Sequence, residues 1–307
     1  MKDKTYRKKE LNQLSMKWNI VFSMILCVVA LAMVLPLALV VIISFSSESS
    51  IAHIGYSFFP EELSLEGYRY LIKMGDQLFR SYGITIFYTV AGTALSMAVM
   101  SMFAYVISVR GFWLNRPLTW FLFFTMLFSG GLVPSYIVNV KYLHLGDSIW
   151  IFLLPGLVSA YNVIILRTFI RTTIPEALFD AARIDGAGHF TIFFRIVMPL
   201  FKAGLATVAL FNVVGRWNDW FTGMLYVENP NLIPLQTLLT KLQNSVEYLK
   251  KNSAVLNTPD GLQLARSAPS ISLRMACTVA VILPMLFAYP FFQRFFVNGL
   301  TVGSIKE

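Results

Sequence analysis

Two short stretches of this otherwise apolar sequence carry residues able to do chemistry. The first, Arg216-Trp217-Asn218-Asp219-Trp220, interrupts the apolar run 203–227. An amide, two charges and two indoles together suit a sugar. Asn218, Arg216 and Asp219 can bond hydroxyls, while Trp217 or Trp220 can pack on the C–H faces of a sugar ring. Asn212, about one turn before Arg216, would continue that polar lining. Simpler roles compete: Arg216 and Asp219 can pair along their own helix, and the indoles can anchor at a membrane interface.

The second stretch is Thr172 to Phe190, TTIPEALFDAARIDGAGHF. Thr173 followed by Glu176 reads as a capping box, Pro175 suits a first helical turn, and Gly186 is placed to stop a helix. The helix is therefore expected over 174–185. At about 100° per residue, Glu176, Asp180 and Arg183 form one stripe with Phe179 beside it, and Ile174, Ala177, Leu178, Ala181 and Ile184 form another. The apolar stripe should rest on the protein and the charged one face outward. A helix lying on a membrane would carry Lys and Arg over bulky apolar residues, so the expected ligand here is a protein.

Little else in the chain is reactive. His53, His144 and His189 lack metal-ligand spacing, and no HExxH, GxSxG or phosphate-binding GxxxxGKS occurs. Cys27 and Cys277 fall in apolar runs and read as small core residues. No cofactor is expected in this chain.

Composition dictates what positions these residues. Of 307 residues, 56% are hydrophobic and 13% charged, an apolar excess that marks a membrane protein. Runs at 20–45, 81–109, 117–140, 148–166 and 275–293 are long enough to cross a hydrocarbon core about 30 Å thick. The run 203–227 counts as a sixth, because its polar residues can face protein or water. Counted at about 1.5 Å per residue from Ala203, Arg216 and Asp219 lie about 20 and 24 Å up, in the outer half of the membrane. Gly130, Gly131 and Pro134 fall inside the third span, where helix breakers form a candidate hinge. Pro284 and Pro290 interrupt the sixth.

Lys and Arg set the orientation. With the N-terminus inside, 15 lie on the cytoplasmic side and 8 in outer loops, while Arg216 and Arg274 lie in or at spans. Both termini are thus expected in the cytoplasm. The fold class is an all-α integral membrane protein of six transmembrane helices. A tail over 1–19 leads into a transmembrane domain over 20–297, whose cytoplasmic loop 167–202 carries the charged helix; a tail over 298–307 follows. The first apolar run is too long for a cleaved signal peptide. The charge of +9 is a topology signal, not a nucleic-acid footprint.

At this point a family resemblance is visible. DAARIDGAGHFTIFFRIVMP resembles the signature loop of ATP-binding-cassette importer permeases, with Asp180 where Glu is usual and Met198 where Leu is usual. GGLVPSY, LGDSIW, RWNDW, IPLQTLL and YPFFQRFFVNGLTVGSIK are similar to the second permease subunit of carbohydrate importers of the maltose type, from about Tyr82 to the end. The resemblance implies the type I importer fold, placed in a bacterial cytoplasmic membrane. It also implies a heterodimer with a second homologous permease and a cytoplasmic ATPase dimer that binds ATP and Mg. An extracytoplasmic solute-binding protein would deliver an oligosaccharide of a complex type, uronate-bearing ones included. Glu176, Phe179, Asp180, Ala181, Ala182, Arg183, Asp185 and Gly186 would then form the coupling helix that meets the ATPase, while the lipid bilayer surrounds the spans. The competing class, an ion-coupled secondary transporter, would want internal repeats and intramembrane carboxylates. The sequence offers Asp219 and no repeat.

Overall fold

The computed structural model describes residues 16–251, 258 and 271–303, with side chains except at 250, 292 and 294–303. The tail expected over 1–19 lies mostly outside these residues, as does the end of the one expected over 298–307. The described elements are helical. The first four are α1 (Met16–Ser44), α2 (Glu48–Ile54), α3 (Glu66–Lys73) and α4 (Asp76–Ser108). Then come α5 (Asn115–Leu127), α6 (Leu132–Ile137), α7 (Trp150–Leu153), α8 (Ala160–Thr173), α9 (Glu176–Ile184), α10 (His189–Ile192) and α11 (Met198–Leu200). The last four are α12 (Lys202–Trp217), α13 (Phe221–Tyr226), α14 (Leu235–Lys251) and α15 (Ile271–Gly303). Wide π-turns at Val138–Tyr142 and Phe193–Val197 follow α6 and α10.

The chain divides into two compact units, one from 1–69 with 269–279 and one from 70–268 with 280–307. In the first, α1 is apolar apart from Lys17, Asn19, Ser23 and Ser44, and exposed from Met16 through Leu37. Glu48 accepts hydrogen bonds from the Ile271 and Ser272 amides at 2.9 Å each and from the Ser272 hydroxyl at 3.0 Å. A side chain far away in sequence therefore caps the first turn of α15, whose amides have no partner within the helix.

The second unit is built around α4. Small polar residues, Ser81, Thr85, Thr89, Thr93 and Ser96, form a buried stripe along it. Small side chains let neighbouring helices approach closely, and their hydroxyls can turn back on the helix backbone. Thr85 does so, bonding the Ser81 carbonyl at 2.9 Å, and also accepts from the Leu235 amide at 2.8 Å. One apolar cluster joins Met100, Ile107, Val163, Leu166, Ile170, Phe193 and Val208. Another joins Tyr88, Ile151, Phe152, Val227 and Ile233.

Three of the expected spans are broken. Uninterrupted helices of sufficient length and apolarity number 3 among the described residues, or up to 5 if each bent pair is one span. The third span bends by 112° between α5 and Leu132–Tyr142. Gly131 makes the bend, with φ +85° and ψ 178°, a region essentially reserved for glycine. The fourth, expected over 148–166, is split into α7 and α8 at 154–159, around Pro155. The fifth stops at Trp217 and restarts as α13.

The last helix contains Pro284, whose ring nitrogen cannot bond the Ala280 carbonyl four residues back. The Tyr82 hydroxyl takes that carbonyl at 2.8 Å, and Trp217 Nε1 takes the next one, Val281, at 3.0 Å. Two side chains from α4 and α12 thus satisfy the groups that the proline disturbs.

The two glycines of the third span are not equivalent. Gly130 has space for a methyl, its nearest neighbour being the Pro134 side chain at 3.9 Å, whereas Gly131 holds a conformation that L side chains rarely adopt. Gly131→Ala is expected to cost about 1–3 kcal/mol and Gly130→Ala almost nothing. Thermal melting of the detergent-solubilised complex checks this; equal losses would show that the bend does not depend on Gly131.

Candidate functional site

Helix α9 begins at Glu176, with two residues separating it from the end of α8 at Thr173. Pro175 sits at its N-cap with no side-chain bond there, so the capping box expected between Thr173 and Glu176 does not form. Thr173 still belongs to α8, which runs on past the expected span end, and Glu176 is drawn elsewhere. It forms an ion pair with Arg110, from the loop after α4.

The far end of α9 is a Schellman turn. The Ala187 amide bonds the Ala182 carbonyl at 2.9 Å and the Gly186 amide bonds the Arg183 carbonyl at 3.0 Å, with Gly186 at φ +77°. Ala182 and Ala187 both pack on the main apolar cluster. The loop then passes His189, whose Nδ1 lies 3.1 Å from the Tyr105 hydroxyl of α4.

The structure keeps part of the expected faces of α9, with Ile174 buried and Asp180 exposed, and departs from the rest. Ile174 and Ala182 are buried and Phe179 half-buried, while Ala177, Leu178, Ala181 and Ile184 are exposed, Ile184 at 87%. Glu176, Phe179 and Arg183, expected to point outward, line a cavity of about 290 Å³ with Arg110, Arg171 and Ser108. Two contacts turn the helix: Ile174 and Ala182 enter the core, and Arg110 pulls on Glu176. Asp180 stays exposed, 3.4 Å from Arg183. Asp185 is exposed too. The outward face is thus an apolar ridge flanked by two carboxylates.

The stretch from Arg216 to Trp220 lies at the end of α12, where its residues diverge. Asn212 is half-buried and bonds the Val208 carbonyl of its own helix at 3.1 Å. Arg216 does not seek Asp219. Its guanidinium turns into the subunit and bonds the carbonyls of Phe152 at 2.5 Å and Gly156 at 3.2 Å and the Ser96 hydroxyl at 2.9 Å. Trp217 is 5% exposed, committed to the α15 kink. Asp219 accepts from the Thr222 amide at 3.0 Å and so caps α13.

Asn218 and Trp220 remain outward. The Asn218 amide donates to the Val214 carbonyl at 2.9 Å, and its oxygen accepts from Gln236 at 3.2 Å. Trp220 is 45% exposed, its ring edge-on to Phe221 and its carbonyl held by the Thr237 hydroxyl at 2.9 Å. Gln236 was hidden in the IPLQTLL motif, and Arg110 carries no local signal at all. On the far side, Asp147 accepts from the amides of Glu228 at 3.0 Å and Asn229 at 2.7 Å, fixing the chain that leaves α13. The expected hinge residues Gly130, Gly131 and Pro134 form the bend described above, and Pro134 sits in the first turn of α6, where its missing amide costs nothing.

Comparison with known proteins adds relatives to this geometry. A family profile described as binding-protein-dependent transport system inner membrane component matches residues 108–302. The polygalacturonan/rhamnogalacturonan transport system permease protein YtcP of Bacillus subtilis is 36% identical over 277 residues, covering 90% of this chain and 94% of that protein. The arabinooligosaccharides transport system permease protein AraQ of Halalkalibacterium halodurans is 26% identical over 287 residues, 91% of this chain and 93% of that one. Among solved structures, a bacterial ABC transporter involved in the import of the acidic polysaccharide alginate matches with a TM-score of 0.74 at 29% identity, covering 91% of this chain and 96% of that chain.

The orientation of α9 makes opposite forecasts for two isoleucines. Ile174→Asp buries an unpaired carboxyl and is expected to destabilise by several kcal/mol, whereas Ile184→Asp should stay within about 0.5 kcal/mol. Melting curves of the two purified variants decide it, and similar losses would refute the assigned faces.

Proposed function

The chain belongs to the family of binding-protein-dependent transport system inner membrane components and is a permease subunit of an ATP-binding-cassette importer; on that premise we propose that its cargo is an oligosaccharide. The relatives named for polygalacturonan/rhamnogalacturonan and alginate support a fragment of a uronate-bearing polymer. In this reading, one half of the translocation pathway comes from this chain and the other from a second, homologous permease. A cytoplasmic ATPase dimer binds ATP and Mg and performs the hydrolysis, and an extracytoplasmic binding protein supplies the sugar. Both termini, with the tails over 1–19 and 298–307, lie in the cytoplasm.

The observation that carries the coupling role is the exposed ridge of α9. Leu178 and Ile184, with Ala177 and Ala181 between them, present apolar surface that water solvates poorly, and Asp180 and Asp185 flank it. Such a ridge suits a cleft on a protein partner, burying apolar area at about 25 cal/mol per Å² while the carboxylates fix register. Motion then passes along two routes. One is the α8–α9 junction at buried Ile174. The other is the Schellman turn and the following π-turn, which lead into α12 and so to Asn218 and Trp220.

Transport chemistry at those two residues needs only reversible contact. The Asn218 amide offers a donor and an acceptor to hydroxyls, and the Trp220 indole offers a flat apolar face. Both Nη groups of Arg216 and Nε1 of Trp217 are engaged inside the subunit, and Arg216 Nε is buried there, which supports leaving these residues out of the sugar's contact surface. Asp219, engaged with the Thr222 amide, serves α13.

Two sets of variants test this function in proteoliposomes containing the full complex. Ile184→Glu and Asp180→Lys should abolish both uptake and binding-protein-stimulated ATPase activity while the subunit stays inserted. Asn218→Ala and Trp220→Ala should cut uptake by about tenfold with ATPase stimulation retained. Normal uptake by the first pair would sink the coupling role, and normal uptake by the second pair would remove these residues from the pathway.

A further inference from the structure

Arg216 is a cation at the end of α12 whose guanidinium bonds carbonyls and a hydroxyl, and its surroundings are shaped for it. Its Nη1 and Nη2 reach two carbonyls on either side of Pro155, those of Phe152 and Gly156, and Nη2 also reaches Ser96 Oγ. Phe152 would bond the amide of residue 156 if α7 continued; because α7 stops at Leu153, its carbonyl is left over and the guanidinium takes it. Gly92 forms the floor of the socket. A Cβ there would stand 2.6 Å from Nη1, so the guanidinium lies where any side chain at 92 would be. The Arg216 carbonyl is pinned in turn by the Tyr88 hydroxyl at 2.6 Å and accepts the Asp219 amide at 3.2 Å.

These contacts fix the last residue but one of α12. Asn218 and Trp220 follow directly, and their exposed side chains have only light tethers of their own. The planar fork of arginine is what spans two carbonyls and a hydroxyl at once; a lysine ammonium, a single point, cannot hold all three in that geometry.

We propose that Arg216 is a positioning residue for transport: seated in the socket of Gly92, Ser96, Phe152 and Gly156, it holds Asn218 and Trp220 on the pathway without touching the sugar. This rests on the reading that Asn218 and Trp220 face the pathway. The break in the fourth span is then part of the mechanism's scaffold, since its free carbonyls are the anchor for the fifth.

The test uses the assembled importer in proteoliposomes. R216Q and G92A should each lower the maximal uptake rate about tenfold, with the half-saturating concentration of sugar-loaded binding protein unchanged within about twofold. R216K should recover part of the rate. Because both changes empty the same socket, R216Q/G92A should be no worse than either alone. As an independent readout, Asn218→Cys is labelled with a membrane-impermeant thiol reagent, and R216Q should change its labelling rate. Wild-type uptake by R216Q, additive losses in the double variant, an unchanged labelling rate, or a shift confined to half-saturation would each overturn the proposal. So would failure of both R216Q and R216K to assemble. Normal uptake by Asn218→Ala and Trp220→Ala would overturn the pathway reading and this inference with it. The Arg216–Gly92 coupling, measured separately, tells that failure apart from a failure of Arg216 itself.

Discussion

Where a membrane-spanning chain stops being helical, the protein itself must take up the amides and carbonyls set free, because hydrocarbon offers no substitute. At several breaks the described residues meet this demand with side chains. Arg216 takes the carbonyls around Pro155, and Tyr82 and Trp217 take those at the Pro284 kink. Asp219 takes an amide at the start of α13, and Glu48 takes two at the start of α15. All but the local Asp219 bond tie one helix to the backbone of a segment distant in sequence. The broken spans therefore cross-brace the structure, and the polar residues at 216, 217 and 219 follow from that need.

The same accounting explains how the subunit divides labour along the fifth span. Residues with strong donors or acceptors are consumed by backbone, leaving an amide and an indole exposed at 218 and 220. A buried polar group without a partner is expensive, while an exposed one bonded weakly can exchange its partner at little cost. Weak, exchangeable contacts are what a transport pathway requires.

At α9 a different balance holds. Helix α9 has an apolar stripe and a charged one, and either could face the subunit. Two buried residues, Ile174 and Ala182, and the Arg110–Glu176 pair decide in favour of the mixed face. The pair is half-exposed, so its direct contribution is small; its importance lies in direction, since it leaves Leu178 and Ile184 without cover.

The sequence by itself determined the membrane class, the fold family, the place of the short charged helix α9 and its stop at Gly186. These depend on composition, apolar run length and a local φ requirement, all readable along one dimension. It marked Gly130, Gly131 and Pro134 as breakers inside 117–140, where the chain bends, but not the breaks in 148–166 and 203–227, which each read as continuous. Nor did it reveal that Glu176 would abandon its cap for Arg110, or that Arg216 would ignore Asp219 for carbonyls some sixty residues earlier in the chain. Helical periodicity says which residues share a face but not which face wins. That choice belongs to groups distant in sequence, and only the tertiary structure brings a freed carbonyl, a glycine floor and a guanidinium to one point.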